Sequence, residues 1–454
     1  MATDEYHETE EETLARHRLM LEGLSDPRRM NWAVWEAFIH ESKCLTSEGK
    51  QVALWTVEIL RQTLRDDFFR QIFVWMEDMQ RNNPGTLIDP HPVFLLGYFP
   101  ANDAPWVYAN LLRLAISIQL FNQIRGQMRI NSVLKHLRRQ REPINWTSRL
   151  LQLEVAALGL KAGWDILFEP PFERGGHADV RLTKGSTRIL VETTVMRFSN
   201  ADRRIMLFSE QLMGQIGVIR LQYKVNIYGS LHCASLMNVS DLIKFFHDLE
   251  EAARATSQGG KSRQILEPSN THVTIYHPSE KAKDDNLDIF MGLIGDHTFS
   301  RLRDILVDKN DQASKSNTPV WVCIDEYAGL LEVMRSHGMT YSQIRDYLSG
   351  FVRREIAVTP LPHLAGVIIS SGLTFPDTIS PDSSTLVTPS EDNGSTLISC
   401  YRLIQRVRHT FVIPRNMPSD DVEVFTELYA HEDEWLDWAL GELKYSAFKD
   451  LVQW

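Results

Sequence analysis

From about residue 12 to residue 142, apolar positions recur at three- and four-residue spacing, as in ALWTVEILRQTL and FFRQIFVWMEDM, and this period predicts helices almost throughout. The Pro-containing stretches NNPGTLIDPHP and FPANDAP divide that region into bundles. After Pro143 the pattern changes. Thr147 or Ser148 is placed to cap a helix running to Lys161, with Gly163 just past its end. Short runs rich in β-branched and aliphatic residues follow: WDILFE, HADVRLT, RILVETTV and KVNIYGSL, the last two separated by a helical stretch at about 202 to 221. HVTIYHP, PVWVCIDE, LAGVIIS and RLIQRVRHTFVI continue the series, mostly separated by helical segments such as SDLIKFFHDLEEAARA and YSQIRDYLSGFVRRE. Strands alternating with helices predict an α/β fold whose sheet is at least partly parallel. FPDTISPDSSTLVTPSEDNGST reads as a polar loop, and the Trp-rich segment after Pro414 as one or two closing helices. The expected organisation is an acidic disordered tail over 1–14, an all-α domain over 15–145, an α/β domain over 146–415 and a helical segment over 416–454.

Composition narrows the classes. A chain of 454 residues that is 43% hydrophobic is neither fibrous nor disordered as a whole. Its longest apolar window, VYANLLRLAISIQLF, is broken by Arg113 and falls short of the roughly 18 residues a membrane span needs. The acidic start lacks the basic-then-apolar order of a signal peptide, so no membrane partner and a cytoplasmic location are expected. The cysteines Cys44, Cys233, Cys323 and Cys400 are far apart and form neither a CxxC pair nor a disulfide-like spacing, which argues against zinc. A net charge of −11 argues against coating nucleic acid by bulk attraction. Locally, RGQMRINSVLKHLRRQRE carries Arg125, Arg129, Lys135, Arg138, Arg139 and Arg141 against Glu142, either a solvated helix face or a stripe that contacts phosphates.

The stretch GGHADVRLTKGSTRILVETTV concentrates the candidate chemistry. A two-residue turn at Gly185-Ser186 pairs Lys184 with Thr187 and, by register, Asp179 with Glu192. His177 then lies opposite Thr194 and Arg181 opposite Leu190, while Ala178, Val180, Leu182, Ile189, Val191, Thr193 and Val195 face the other way. Two directly opposed acids destabilise a sheet unless something compensates. Mg²⁺ or Mn²⁺, which prefer carboxylate oxygens and water, would do so; the alternatives are a shared proton or Arg181 as counter-ion. Glu154, alone at the centre of the otherwise apolar helix SRLLQLEVAALGLKAG, supplies a third acid.

An apolar helix with one Glu, a strand with one Asp and its hairpin partner with one Glu, in that order, resemble the PD-(D/E)XK nuclease superfamily and its restriction-endonuclease-like α-β-β-β-α-β core. The likeness covers about residues 146 to 232. It implies a mixed sheet flanked by helices, extended here by further strands, and Glu154, Asp179 and Glu192 as ligands of Mg²⁺ (or Mn²⁺) that bind the scissile phosphate and activate water. Ala178 stands where the motif has Pro, and Thr194 where the family has its Lys. A Thr hydroxyl cannot replace that charge. His177, opposite Thr194, and Lys161, two helical turns beyond Glu154, are the candidate substitutes, while Gln211 and Gln215 repeat at one-turn spacing and could face the site. Arg197, Arg203 and Arg204, just after the third strand, join Arg138 and Arg139 as candidate nucleic-acid contacts.

The implied function is a metal-dependent nuclease acting on nucleic acid, DNA before RNA, in restriction, repair or phage defence. The alternative is a degenerate nuclease fold that binds nucleic acid or a protein partner, a second copy included, without cleavage. An ATPase reading of GGKS with VWVCIDE fails, because a P-loop needs Gly five places before Gly260, where Ala255 stands. No G-x-S-x-G motif supports a serine hydrolase.

Overall fold

The computed structural model describes residues 10–82, 112, 114–121, 130–139, 143–196, 200–232, 239–259, 261–266, 272–280, 287–290, 298–326, 330–331, 334, 338–358, 360–371, 385–402, 406–416 and 419–430. The chain forms two compact units, each discontinuous in sequence: 1–44, 66–107 and 200–294 make one, and 45–65, 108–199 and 295–454 the other. The first helix begins at Glu10, inside the stretch expected as an acidic tail.

In the first unit, helices α1 (Glu10–Ser25) and α2 (Trp32–Glu41) pack together. Asn31 caps α2 by accepting from the Ala33 and Val34 amides, and Trp32, Trp35, Phe68 and Phe69 form an aromatic cluster beneath it. The strand at Asn226–His232, which the resemblance places fourth in the nuclease-like core, lies instead in a separate four-stranded sheet with strands at Arg263–Leu266, His272–Tyr276 and Leu287–Phe290. Helices Asn200–Tyr223 and Val239–Gly259 cover one face of that sheet, where Leu212, Ile216, Phe245 and Leu249 meet Val273 and Ile275.

The second unit holds the eight-stranded mixed sheet. Helix α3 (Pro143–Lys161) starts at its proline, earlier than the caps expected at Thr147 or Ser148, because Pro is tolerated where the first N–H has no intrahelical acceptor. It stops at Gly163 (φ +78°): the Gly163 amide donates to Leu160 and the Trp164 amide to Gly159, a Schellman closure that satisfies two of the last carbonyls. An antiparallel meander follows, β1 (Asp165–Phe168), β2 (Val180–Lys184) and β3 (Thr187–Val195). Beside β3 in parallel runs β4 (Val320–Glu326), and beside that β5 (Leu364–Ser371), again parallel. Strands β6 (Thr385–Pro389), β7 (Thr396–Arg402) and β8 (Arg406–Pro414) complete the order β1-β2-β3-β4-β5-β8-β7-β6. One of these, β6, lies in the stretch that reads as a polar loop: its Thr and Val pair as an edge strand despite the surrounding Pro and Ser.

Alternation assigns the two faces. Val320, Val322, Ile324 and Leu190 pack with helices α4 (Thr298–Ala313) and α5 (Tyr341–Val358). Trp321 and Cys323 point the opposite way, where Trp321 stacks on Phe425 of α6 (Asp420–Ala430) and donates Nε1 to Asp421 at 2.8 Å. Helix α3 shares that face. Gly366 of β5 leaves room for the Trp321 indole: a Cβ there would sit 2.7 Å from the Ile413 carbonyl oxygen and inside the Trp321 ring contact. Gly366→Ala should therefore cost about 1–3 kcal/mol by overpacking, read as a lower denaturant midpoint at unchanged slope; an unchanged midpoint would contradict this packing.

Candidate active site

The hairpin register is the expected one, with Lys184 opposite Thr187 and Val180 opposite Val191, and of the two turn residues only Gly185 takes a positive φ (+61°). The pairing changes at the open end. The Asp179 amide donates to the Val191 carbonyl at 3.1 Å, so Asp179 and Val180 both meet Val191 across the pair, the count of a β-bulge. Ala178, expected to share the face of Val180, instead packs with Leu190 on the α4 face. A bulge of one residue shifts all side chains before it relative to the alternation after it.

The consequence falls on Asp179. Its Oδ2 accepts from the Thr193 amide at 2.7 Å and the Thr193 hydroxyl at 2.9 Å, while Oδ1 lies 3.4 Å from Arg149 Nη1. Arg149, on α3, also reaches Glu169 Oε1 at 3.3 Å and Gln152 Oε1 at 2.7 Å. Gln152 in turn donates Nε2 to the Asp179 carbonyl. The Asp179 carboxylate is thus held from the α3 side of the sheet.

Glu192 points to the other side. It is paired in register with Val322, whose side chain faces α4, and its Oε2 accepts from Lys309 Nζ at 2.8 Å. The side chains of Lys309 and Glu192 are 13% and 5% exposed. Burial first, and then the negative charge of Asp179, push the Glu192 carboxyl up to about 7 against the opposing pull of Lys309 and Arg149. The two acids therefore act on each other electrostatically while hydrogen-bonding to partners on opposite faces. Sequence reading missed Lys309. Its signal is positional: Lys309 falls three residues after Leu306 and four before Ala313, on the buried stripe of an amphipathic helix.

Glu154 is placed elsewhere. Its Oε1 accepts from Nη1 of Arg408 on β8, and Arg408 also donates Nε to the Ser370 hydroxyl. Burial opposes the Arg408 charge, and Glu154 and Asp325 more than offset it, leaving the guanidinium above its usual pKa. Nearby Cys323, 3.4 Å from the Tyr429 hydroxyl, has its thiol pushed up to about 12 by burial and so supplies no thiolate. Among the described residues no group of three or more His, Cys, Asp and Glu side chains is placed to hold a metal ion. The convergence of Glu154, Asp179 and Glu192 is not found, because the bulge turns Asp179 and Arg408 draws off Glu154.

The other candidates divide. Thr194 is half-buried on β3, His177 is exposed and bridges to Pro171 in the preceding loop, and Lys161 ends α3 half-buried. Arg138 lies on the helix Ile130–Arg139 and donates Nε to the Thr63 carbonyl, a structural contact, while Arg139 is exposed. Arg203 and Arg204 lie on the helix Asn200–Tyr223, and Arg197, Arg125, Arg129 and Arg141 fall outside the described residues. No helix among the described residues is long and apolar enough to cross a membrane. Comparison with family models, with curated proteins and with solved structures finds no match to this chain.

Glu192 gives the site a pH signature. Its folded pKa lies above the usual 4.5, so the folded state holds this proton more tightly and the stabilisation present below about pH 4.5 is lost as pH rises through about 7. The difference in unfolding free energy between the parent and Glu192→Gln should fall by roughly 3 kcal/mol across that window. Parallel curves for the two proteins would contradict a buried, raised Glu192.

Proposed function

We propose that the chain is a divalent-metal-dependent phosphodiester hydrolase acting on nucleic acid, with Glu192 as a metal ligand, Lys309 as the neighbouring cation and Asp179 as a nearby charge that acts on Glu192. The observation that carries this reading is the buried Glu192 carboxylate on the third strand of a helix–meander–parallel-strand arrangement, hydrogen-bonded to Lys309 and electrostatically coupled to Asp179. The arrangement resembles a restriction-endonuclease-like core in which the fourth strand is Val320–Glu326.

The Glu192 carboxylate suits a hard cation, since Mg²⁺ is commonly held by one or two carboxylates with water completing its shell. When bound there, the metal supplies a polarised phosphate oxygen and a water of lowered pKa. The Thr193 amide and hydroxyl fix one oxygen of Asp179 and leave Oδ1 toward Arg149. Lys309 brings beside Glu192 the positive charge that Thr194 lacks, and charge developing on a phosphate is what such a cation stabilises. Cation binding must displace the proton that Glu192 holds below about pH 7, so metal affinity should rise with pH to that point.

A second reading, a binding protein that does not cut, is favoured by a specific observation: Glu154, Asp179 and Glu192 already face Arg408, Arg149 and Lys309 respectively. Thermal shifts with millimolar Mn²⁺ or Mg²⁺ above pH 7, and cleavage assays on single-stranded, duplex and branched DNA and on RNA, separate the two. The hydrolase reading expects a metal-dependent rise in Tm and cleavage, both abolished by Glu192→Gln. Lys309→Gln should lower the cleavage rate ~10²-fold or more while keeping the thermal shift. An inert parent whose Tm does not move with metal favours the second reading.

A further inference from the structure

The β2–β3 hairpin carries an excess of positive charge that the site's own acids do not neutralise. Arg181 lies opposite Leu190, which makes Arg188 its diagonal neighbour on the same face, at a spacing of about 7–8 Å. At that diagonal spacing two long arginine side chains are within reach of each other, and their like charges repel. Arg181 Nε is buried and makes no hydrogen bond, and burial first and then Arg188 lower the Arg181 pKa, the mark of a cation short of counter-charge. Arg188 is exposed. No carboxylate forms an ion pair with either arginine among the described residues. The loop before β2 adds two more cations. Arg174 is exposed and its amide donates to the Lys315 carbonyl, and the Lys315 side chain passes beside Gly176, where a built Cβ would lie 3.4 Å from Lys315 Cδ. One acid belongs to this surface: Glu173, on which the charges of Arg188 and Arg174 act, is already accepting from the Asn317 amide at 3.0 Å.

We infer that Arg174, Arg181, Arg188 and Lys315 form a docking surface for the phosphate backbone of a nucleic acid. The guanidinium is a planar fork that matches phosphate oxygens, and the exposed Arg188 and Arg174 present theirs to solvent. A polyanion fits better than a single phosphate group, because the cations are spread from the hairpin face to the loop at its other end rather than converging on one point. Arg188 precedes Glu192 by four residues on β3, about 13 Å, so a backbone seated on this surface passes within reach of Glu192. The inference rests on the proposed hydrolase reading for its substrate class; in the 125–141 stripe, Arg138 is committed to the Thr63 carbonyl.

Binding of labelled single-stranded and duplex oligonucleotides, followed by fluorescence anisotropy across a salt series in EDTA, tests the surface without cleavage. Arg181→Gln with Arg188→Gln should weaken duplex binding ~10-fold at low salt and reduce the slope of log affinity against log salt by about 2. Arg138→Gln with Arg139→Gln should change the slope less. Arg188→Gln alone, at an exposed position, should reduce the slope by about 1 and keeps the test intact if the double variant fails to fold. A parent that binds no oligonucleotide at low salt, or a folded variant that binds with unchanged affinity and slope, overturns the surface. A parent that cuts while the arginine variants bind as it does overturns the surface and leaves the hydrolase standing. A parent that binds through these arginines yet never cuts with any metal sustains the surface and ends the hydrolase reading.

Discussion

The ion pair between Glu192 and Lys309 is the constraint on which the site depends. At 2.8 Å, with both side chains largely out of solvent, it ties the centre of β3 to α4, the helix that leads into the parallel neighbour strand Val320–Glu326. Neither member is easily given up, because removing one partner of a buried pair leaves an uncompensated charge and costs about 3–5 kcal/mol. Yet the pair is not electrostatically settled. Burial and Asp179 hold the carboxyl near neutrality of charge at about pH 7, and a group poised in this way is suited to exchanging a proton or an ammonium for a stronger cation.

A second buried pair, Glu154 with Arg408, lies on the opposite face of the same sheet and has a different character. Arg408 also donates to Ser370, whose hydroxyl lies 3.2 Å from that of Thr410, so this guanidinium is fixed by hydrogen bonds to one neighbouring strand and a helix. Its role is to join α3 to β8 through the sheet's interior. The two pairs hold Glu154 and Glu192 on opposite faces of the sheet, and Asp179 is held by Thr193 and Arg149 where β2 begins.

The hairpin was legible from sequence because a two-residue Gly-first turn fixes register, and register fixes every pair that follows. The same argument failed at one residue, Asp179, because a bulge leaves no mark in composition or period. Glu154 stands out in the sequence as a lone acid on an apolar helix, but its partner Arg408 is more than 250 positions away in the chain, and no local pattern announces such a contact. Lys309 and the place of the strand Val320–Glu326 beside β3 are hidden for a related reason. The sheet that α3 and the meander begin continues after an insertion that builds part of the other unit, so the strand that follows in sequence, Asn226–His232, belongs to another sheet. Arg181 was weighed only as a counter-ion to the acids; the structure sets it beside Arg188 instead.

Whether Glu192 holds a metal is answered most directly by diffraction from crystals grown with Mn²⁺ above pH 7, using the anomalous signal of the ion. A peak coordinated by the Glu192 carboxylate, with Lys309 moved off Glu192, is the expected result. An occupied Mn²⁺ elsewhere, with Glu192 still hydrogen-bonded to Lys309 and Asp179 still held by Thr193, would contradict it and leave the pair as part of the framework alone.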